Sequence, residues 1–348
     1  MKKNQTIYPK CLFKDTPKAA YLTHDGYVRP CCYAHRHNKI EKDEPWMVEL
    51  RHNLRSGNSL EKIFSTPEYK DFFERMKNGK DIPRRCIEVC SKPQDKGVDS
   101  RKEKTINGKL DWSREEAIYV DEYRVPKKLQ VDVTHRCSLA CSKCNRFIDE
   151  FKDHLSGLIY KTGHQVLNKV ELSIEDFEKI FEENSILHTQ GDVDFTGTWS
   201  DAIYHPDFLA ICRVIKKHGT SINISTNGSR RTKQFWEELF DILDPRLDTI
   251  VFGMDGLKDT ADMYRKFCLY DDVVTAMKIG AEKGFKNNKW SFIVFNFNQH
   301  QTAEAQKIAD DIGIKFELVK SHRWDGPDDP LMPSKEWLPQ SVIEEYNL

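Results

Sequence analysis

Residues 128–146 read KLQVDVTHRCSLACSKCNR, and the architecture predicted for the chain starts from them. The first part, "KLQVDV", alternates apolar and polar residues with the period of two that is typical of a half-buried β-strand. Directly after it come Cys137, Cys141 and Cys144 at the spacing Cys-x3-Cys-x2-Cys. Three thiols at the end of a strand predict a binding site there.

The sequence after this strand alternates short β-rich runs with helical patterns. The predicted strands are "KLQVDV", "DVDFT", "SINIST", "LDTIVFGM", "WSFIVFNF" and "KFELVK". Helical patterns separate them, and Ser173 followed by Asp176 predicts a capping box at the first. Such alternation predicts parallel strands with right-handed crossovers, in either a doubly wound sheet or a barrel.

Composition is that of an ordinary soluble protein, because 39% of the 348 residues are hydrophobic and 31% are charged. No apolar run approaches the roughly 20 residues of a membrane span, and no export signal follows "MKKNQTIYPK". We therefore expect a cytoplasmic protein without membrane contact. The formal net charge of -1 attracts no phosphate backbone, so nucleic acid is not an expected partner.

The first 125 residues show few β/α alternations, many charges and several turn signals. Their one plausible helical stretch, "LEKIFSTPEYKDFFERMKNGK", is interrupted at Pro67. A loop-rich unit with so small a core often depends on a metal or cluster. The predicted division is an N-terminal cluster-binding domain over residues 1–125, the β/α domain over 126–325 and a C-terminal tail over 326–348.

The chain has ten cysteines and no export signal, which favours metal or cluster binding over disulfides. Four of them in the N-terminal segment can close a complete cluster or a zinc site. These four are Cys11, Cys31, Cys86 and Cys90. Cys32 is a spare thiol or an alternate ligand, and Cys212 and Cys268 are expected to pack in the core. His24, His35 and His37 are expected to face solvent.

Polar loops follow every predicted strand of the β/α domain. In parallel α/β folds ligands bind at the carboxyl ends of the strands, so the sequence predicts a site at this rim. The candidates for substrate contact are equally well explained as solvated loop residues. They are His300, His322, Arg323, Trp324, Arg230 and Arg231.

The number of thiols in the opening motif bears on its chemistry. Structural zinc sites usually take four protein ligands. A cubane iron–sulfur cluster held by three cysteines leaves its fourth iron open to an exogenous ligand. The motif and its place after a strand closely resemble the signature of the radical S-adenosylmethionine (radical SAM) superfamily. That resemblance implies a partial (β/α)6 TIM-type barrel, a catalytic [4Fe-4S] cluster on Cys137, Cys141 and Cys144, and S-adenosylmethionine (SAM) as cofactor.

The resemblance also implies roles for three rim loops. "FTGTWSDAIYHPDF" is similar in position to the family's glycine-containing loop that meets the methionine amino group of SAM, although it departs from the common Gly-Gly-Glu-Pro form. "STNG" resembles the loop that reaches the ribose and carboxylate, and "GMDG" resembles a strand end near the ribose. The implied SAM-binding residues are Thr196, Gly197, Thr198, Asp201, Ser225, Asn227 and Asp255. Lys143 stands where many members carry an aromatic residue that touches adenine.

The N-terminal cysteines resemble the start of SPASM and twitch domains, the auxiliary-cluster units of radical SAM enzymes. Cys11, Gly26 and Cys31 match the family's opening pattern, and this implies an auxiliary [4Fe-4S] cluster. Two features depart from the family. The unit precedes the barrel instead of following it, and the Cys86-x3-Cys90 pair is one residue wider than usual.

Three functional hypotheses follow. The first is a radical SAM enzyme that reductively cleaves SAM and abstracts hydrogen from a peptide or small-molecule substrate, with an external flavodoxin- or ferredoxin-type electron donor. The second is an iron–sulfur electron-transfer or sensing protein that does not cleave SAM. The third is a zinc-organised binding module without catalysis.

Overall fold

The computed structural model describes most of the chain. The described residues are 11–13, 16–17, 19–32, 43–90, 105–106, 109–110, 117–120, 123–144, 146–152, 159–164, 170–188, 191–198, 200–322 and 324–348. Among these residues, no helix combines the length and apolar character needed to cross a membrane.

An open eight-stranded sheet positions all the residues discussed below. Its strands are β1 (Ala20–Leu22), β2 (Val28–Arg29), β3 (Lys128–Val131), β4 (Asp192–Phe195), β5 (Ser221–Thr226), β6 (Thr249–Gly253), β7 (Lys289–Ile293) and β8 (Lys315–Val319). The spatial order is β8-β7-β6-β5-β4-β3-β1-β2. Strands β3 to β8 pair in parallel and in chain order, which confirms the predicted partial (β/α)6 TIM-type barrel.

Helices connect the barrel strands, and further helices lie in the N-terminal and C-terminal segments. They are α1 (Leu60–Phe64), α2 (Pro67–Asn78), α3 (Arg84–Cys90), α4 (Ile174–Glu183), α5 (Phe208–Lys217), α6 (Lys233–Ile242), α7 (Ala261–Tyr264), α8 (Tyr270–Glu282), α9 (Thr302–Ile312) and α10 (Gln340–Tyr346). The predicted capping box of α4 is present, because Ser173 and Asp176 bond each other's backbone N–H groups. Pro67 separates α1 from α2, as the sequence predicts.

Short 3-10 helices and two-stranded ribbons complete the described elements. The 3-10 helices are Pro45–Val48, Leu50–His52, Leu54–Ser56, Ser185–Leu187, Ala202–Tyr204, Gln299–Gln301 and Lys335–Trp337. The antiparallel ribbons pair Leu12–Phe13 with Thr16–Pro17, Thr105–Ile106 with Lys109–Leu110, Ala117–Val120 with Tyr123–Pro126, and Phe147–Lys152 with Ile159–His164.

The two faces of the barrel sheet differ in polarity. Val131, Val193 and Ile224 belong to the apolar core that also contains the buried faces of α4, α5 and α6. Side chains alternate along a strand, so the residues next to each of these three in sequence face the barrel interior. On that side, Lys128 Nζ lies 3.2 Å from Asp192 Oδ2 and 3.1 Å from Asp194 Oδ2. The interior wall is therefore polar and charged.

The N-terminal segment contributes two strands to this sheet. β1 runs parallel to β3, with Ala20 opposite Leu129 and Leu22 opposite Val131. From β1, the Tyr21 hydroxyl donates to Asp132 Oδ2 at 2.6 Å, just beyond the end of β3. The sheet thus crosses the predicted domain boundary at residue 125, and the division into domains stays a prediction.

Residues 324–348, here called the C-terminal segment, pack against the barrel. Trp324, Leu331, Leu338 and Val342 form a buried apolar cluster with Phe295 and other barrel residues. The Tyr346 hydroxyl donates to the Trp324 carbonyl at 3.0 Å, and Asn296 N–H donates to the Leu331 carbonyl at 3.1 Å. The predicted tail is therefore a structured wall of the barrel.

A buried carboxylate between β5 and β6 gives a test of the fold. Asp248 accepts hydrogen bonds from Ile222 N–H and Asp244 N–H, both at 2.7 Å, and pairs with Lys216 at 2.7 Å. Removing one partner of a buried pair typically costs about 3–5 kcal/mol, so we expect Asp248→Ala to lose that much free energy of unfolding in urea titration. The control is Glu238→Ala, which breaks an exposed pair with Arg213 and should cost below about 1 kcal/mol. Equal losses in the two variants would contradict this account.

Candidate functional site

The cysteine loop, residues 135–144, is held by backbone hydrogen bonds to two other loops. Ala140 N–H donates to the Lys266 carbonyl and Ser142 N–H to the Tyr264 carbonyl, both at 3.1 Å. Asp201 N–H donates to the Arg136 carbonyl at 2.8 Å. Since Ala140 and Ser142 flank Cys141, the position of this cysteine is fixed on both sides.

The three cysteines of the loop share one desolvated environment. Burial raises the pKa of Cys137 to about 11, and burial also raises the pKa of Cys141 well above its ordinary value. Cys144 acts electrostatically on both thiols, and Cys137 acts on Cys141, so the three side chains lie near one another. Desolvated thiols favour the protonated form until a positive partner such as iron stabilises the thiolate.

Two guanidinium groups flank the loop. Arg146 acts on Cys137 and Arg265 acts on Cys141, and each lowers the pKa of the thiol against the larger effect of burial. Arg146 also donates to the Leu139 carbonyl within the loop. Both positive charges favour anionic ligands at this place.

Arg265 is held by Asp255, one of the residues predicted to contact SAM. Asp255 is fully buried, and its Oδ2 lies 2.6 Å from Arg265 Nε while its Oδ1 accepts Ile293 N–H at 2.8 Å. The guanidinium lies across Gly253, where an added Cβ would come 2.9 Å from Arg265 Nη2. Both Asp255 oxygens are therefore engaged. Oδ2 holds the Arg265 cation beside Cys141, and Oδ1 binds the backbone of β7.

Asp201 connects the loops after β4 and β5. Its Oδ2 accepts from Thr226 Oγ1 at 2.9 Å, from Asn227 N–H at 2.7 Å and from Asn227 Nδ2 at 2.6 Å. Burial raises the pKa of Asp201 to about 6, against the opposing effect of these bonds. Asn227 Nδ2 also lies 3.6 Å from Cys137 Sγ. The predicted residues Asp201 and Asn227 are thus brought together, directly beside the first cysteine.

The loop after β4 presents polar groups to the rim. Gly197 has a φ of +60°, and an added Cβ would lie 2.5 Å from the Ser200 carbonyl oxygen, so only glycine fits. Thr196 Oγ1 is buried without a hydrogen-bond partner among the described residues. Thr198 hydrogen-bonds Tyr21, and Ser225 is half-buried near the end of the neighbouring β5. A buried hydroxyl without a partner indicates a place for a ligand.

The four predicted N-terminal ligands also gather. Cys11 and Cys86 are buried in a small apolar cluster with Phe72 and other residues, and Cys31 packs against it. Burial raises the pKa of Cys11, and Cys31, Cys86 and Cys90 each add to the rise, so all four thiols are close enough to interact. Cys86 and Cys90 lie one turn apart on α3.

The remaining sequence predictions have mixed outcomes. Cys212 and Cys268 are buried in the core, as predicted, but the prediction that His24 faces solvent is wrong because the residue is 4% exposed. Trp324 is buried in the apolar cluster of the C-terminal segment. His35, His37 and Arg323 lie outside the described residues.

The other rim candidates lie at the surface or pack locally. His300 is exposed, and the His322 ring nitrogen Nδ1 lies 3.3 Å from Ser341 Oγ. Arg230 donates its backbone N–H to Asp272 at 2.8 Å, and Arg231 stacks over the rings of Tyr204 and Phe235.

The sequence did not predict the role of Arg265, the partners of Asp132 or the partners of Lys143. Tyr21 and Ser200 Oγ both donate to Asp132, the latter at 2.8 Å, and thereby join the N-terminal segment to the rim. Lys143 pairs with carboxylates of the C-terminal segment. The available sequence signal was a carboxylate near the end of a predicted strand, as with Asp132 in "LQVDV".

The donor set fits a cubane cluster with an open iron. Over the described parts of the chain, no three histidine, cysteine, aspartate or glutamate side chains are arranged as ligands of a single metal ion. In a cubane each cysteine would bind a different iron, which suits three thiols that lie near one another at the end of β3. Thr196 and Gly197 add a hydroxyl without a partner and a close backbone approach on the same rim.

Two sequence comparisons bear on this site. Residues 131–307 match the family model described as the Radical SAM superfamily. A curated protein of Pyrococcus furiosus, the tungsten-containing aldehyde ferredoxin oxidoreductase cofactor-modifying protein, is 26% identical over 211 residues. This match covers 56% of the present chain and 51% of that protein, so the chain spans about half the length of this relative.

Solved structures give weaker likenesses. Streptococcus suis SuiB bound to S-adenosylmethionine has a TM-score of 0.45 and 15% identity, covering 64% of this chain and 46% of SuiB. Native anSMEcpe with bound AdoMet has a TM-score of 0.38 and 16% identity, covering 56% and 54% of the two chains. The family match spans half of the chain and contains the whole cysteine motif, and on that ground the chain belongs to the radical SAM superfamily.

Proposed function

We propose that this protein is a radical SAM enzyme in which Cys137, Cys141 and Cys144 hold the catalytic cluster. The observation that carries the proposal is the cysteine loop itself, fixed at Ala140 and Ser142 at the end of the first barrel strand of a superfamily member. Membership implies a [4Fe-4S] cluster and SAM. When bound, they supply the reductive cleavage of SAM to a 5'-deoxyadenosyl radical, which abstracts hydrogen from the substrate.

The rim residues have the chemistry to bind and orient SAM. The Thr196 hydroxyl, the backbone at Gly197, and the side chains of Thr198 and Ser225 offer donors and acceptors at the ends of β4 and β5. Asp201 would act indirectly, since its carboxylate already accepts from Thr226 and Asn227 and fixes their orientation. This arrangement is preorganised, so little ordering remains to be done on binding.

Charge complementarity supports the place of the SAM carboxylate. Arg265 is positively charged, since Asp255 and Cys141 raise its pKa against the lowering effect of burial. The guanidinium lies beside Cys141, where an anionic group of the cofactor would find a cation in a low-dielectric setting. Asp255 would position Arg265 instead of touching the ribose itself.

We further propose that Cys11, Cys31, Cys86 and Cys90 hold an auxiliary [4Fe-4S] cluster in a SPASM- or twitch-like unit over residues 1–125. The mutual interaction of these four thiols, three of them buried, supports this. Cys11, Cys86 and Cys90 are buried and Cys31 is half-buried, so four potential thiolate ligands lie in one poorly solvated region of a small core. Cys32 is either a spare thiol or an alternate ligand; it lies near the Tyr21 hydroxyl and raises the pKa of that group after the larger effects of burial and Asp132.

The substrate class that we propose is a peptide, with small molecules as the second class. Enzymes that carry SPASM or twitch units act on ribosomal peptides, sugars or other small molecules, and the polar loops at the carboxyl ends of the barrel strands offer partners for polar groups. An external flavodoxin- or ferredoxin-type protein would provide the electron. The alternative is an iron–sulfur electron-transfer or sensing protein that binds clusters and leaves SAM intact.

The catalytic cluster can be tested by deleting one thiol. After anaerobic reconstitution with iron and sulfide, wild type incubated with SAM and a strong reductant should release 5'-deoxyadenosine, measured by liquid chromatography. We expect Cys141→Ala to abolish this product because one iron loses its ligand. Cys212→Ala, a substitution in the buried core of α5, should retain the activity. Stoichiometric zinc without colour, or clusters without any 5'-deoxyadenosine, would favour the alternatives.

The role of Asp201 predicts a loss of SAM affinity without loss of the cluster. Asp201→Asn removes an anionic acceptor from Thr226 and Asn227, and a hydrogen-bond change of this size weakens binding by roughly tenfold. Equilibrium dialysis of labelled SAM against the reconstituted protein measures it. The control is Asp207→Asn, an exposed residue at the N-cap of α5 whose side chain makes no cap bond. Unchanged affinity in Asp201→Asn would contradict the assignment.

If the auxiliary cluster is present, part of the bound iron does not depend on the cysteine loop. Cys86→Ala should lower the iron content after reconstitution by about one cluster, and the remaining cluster should still respond to SAM in electron paramagnetic resonance spectra. Cys268→Ala, a buried cysteine in the barrel core, should keep the full iron content. If Cys86→Ala retains all its iron, the auxiliary cluster is absent from these four residues.

A further inference from the structure

Lys143, between Cys141 and Cys144, has no role in the proposed chemistry. Its Nζ lies 2.8 Å from Asp325 Oδ2 and also pairs with Asp329 Oδ2. The Lys143 side chain is 15% exposed and that of Asp329 only 2%. A charged pair so deeply placed is costly to desolvate, so its carboxylate needs further hydrogen bonds.

Asp329 has those further bonds. Its Oδ2 accepts Asp325 N–H at 2.9 Å and its Oδ1 accepts Leu331 N–H at 3.0 Å. The Asp329 carboxylate therefore stabilises the turn near the start of the C-terminal segment. It also accepts a hydrogen bond from Lys143.

The same turn brings apolar residues to the cysteine loop. Leu331 and Trp324 belong to the buried cluster against which Cys141 packs. Tyr264, whose side chain belongs to the same cluster, and Lys266 hold Ser142 and Ala140 through their backbone carbonyls. Lys143 supplies a further attachment, directly next to Cys144 in sequence.

We propose that Lys143 is a positioning residue that docks the C-terminal segment on the cysteine loop through Asp329. The docking fixes Cys144 and closes this side of the loop to solvent. This inference rests on the proposed function, in that it takes Cys137, Cys141 and Cys144 as the cluster ligands.

The pair also balances charge next to the cluster. Lys143 faces the exposed carboxylate of Asp325 and the buried carboxylate of Asp329, so neutralising the lysine leaves the negative charge of Asp329 in a poorly solvated place. Reduction adds an electron, and the potential of an iron–sulfur cluster falls as nearby negative charge increases. Neutralising Asp329 removes one negative charge, which raises the potential.

Iron release and reduction potential test the proposal without turnover. The anaerobically reconstituted full chain is mixed with an iron chelator, and the kinetic phase that belongs to the cysteine loop is the one absent from Cys141→Ala. Lys143→Met and Asp329→Asn should each release that iron roughly tenfold faster than wild type, since outer partners of metal ligands contribute about that much affinity. In redox titrations followed by electron paramagnetic resonance, Lys143→Met should show a lower potential and Asp329→Asn a higher one.

Two further variants complete the comparison. Lys143→Arg keeps the charge and should release iron more slowly than Lys143→Met. Lys258→Met removes an exposed lysine, 76% accessible and paired with Asp271, and should match wild type in both measurements.

The outcomes separate this inference from the proposed function. Wild-type release and potential in both Lys143→Met and Asp329→Asn, with the phase still absent from Cys141→Ala, would overturn the role of Lys143 alone. If Cys141→Ala retained every phase, no iron would reside on the cysteine loop, and the proposed function would fall together with this inference.

Discussion

Three thiols can hold a cluster only if the loop that carries them keeps its shape, and a loop of this kind has no helix or ladder of its own to supply that shape. Here the backbone N–H groups of Ala140 and Ser142 bond to carbonyls of the segment after β6, and Asp201 N–H bonds to the Arg136 carbonyl. Each bond satisfies a buried polar group and also fixes the position of a neighbouring cysteine. The rest of the site is built around these contacts.

Three buried carboxylates next to barrel strands also fix loops through backbone hydrogen bonds. Asp201, Asp248 and Asp255 are each buried and each accept backbone N–H groups from a neighbouring element. The desolvation of each charge is offset by at least two donors, which turns a costly group into a fixed connection between loops. At Asp201 and Asp255 the connection extends to a side chain beside a cysteine, Asn227 in one case and Arg265 in the other.

The sequence predicted the barrel and the places of the cysteines because both leave local patterns. Period-two alternation located β3 to β8 to within a few residues, and the capping box located the start of α4. The pairing of β1 with β3 joins a three-residue strand to a distant one, and so short a strand has no periodicity to detect. Arg265 with Asp255 and Lys143 with Asp329 are likewise tertiary pairs, and His24 is buried because of packing that no local pattern records.

The pairing of β1 with β3 has a consequence for how the protein folds during its synthesis. Tyr21 and Asp132 are 111 residues apart in sequence, so the ribosome must release the whole N-terminal unit before its sheet partner exists. Closing so long a connection is slow, and contacts of this range form late in folding. During that interval β1 lacks the edge of β3 on which it docks, so the N-terminal strands reach their final place only after β3 has been synthesised.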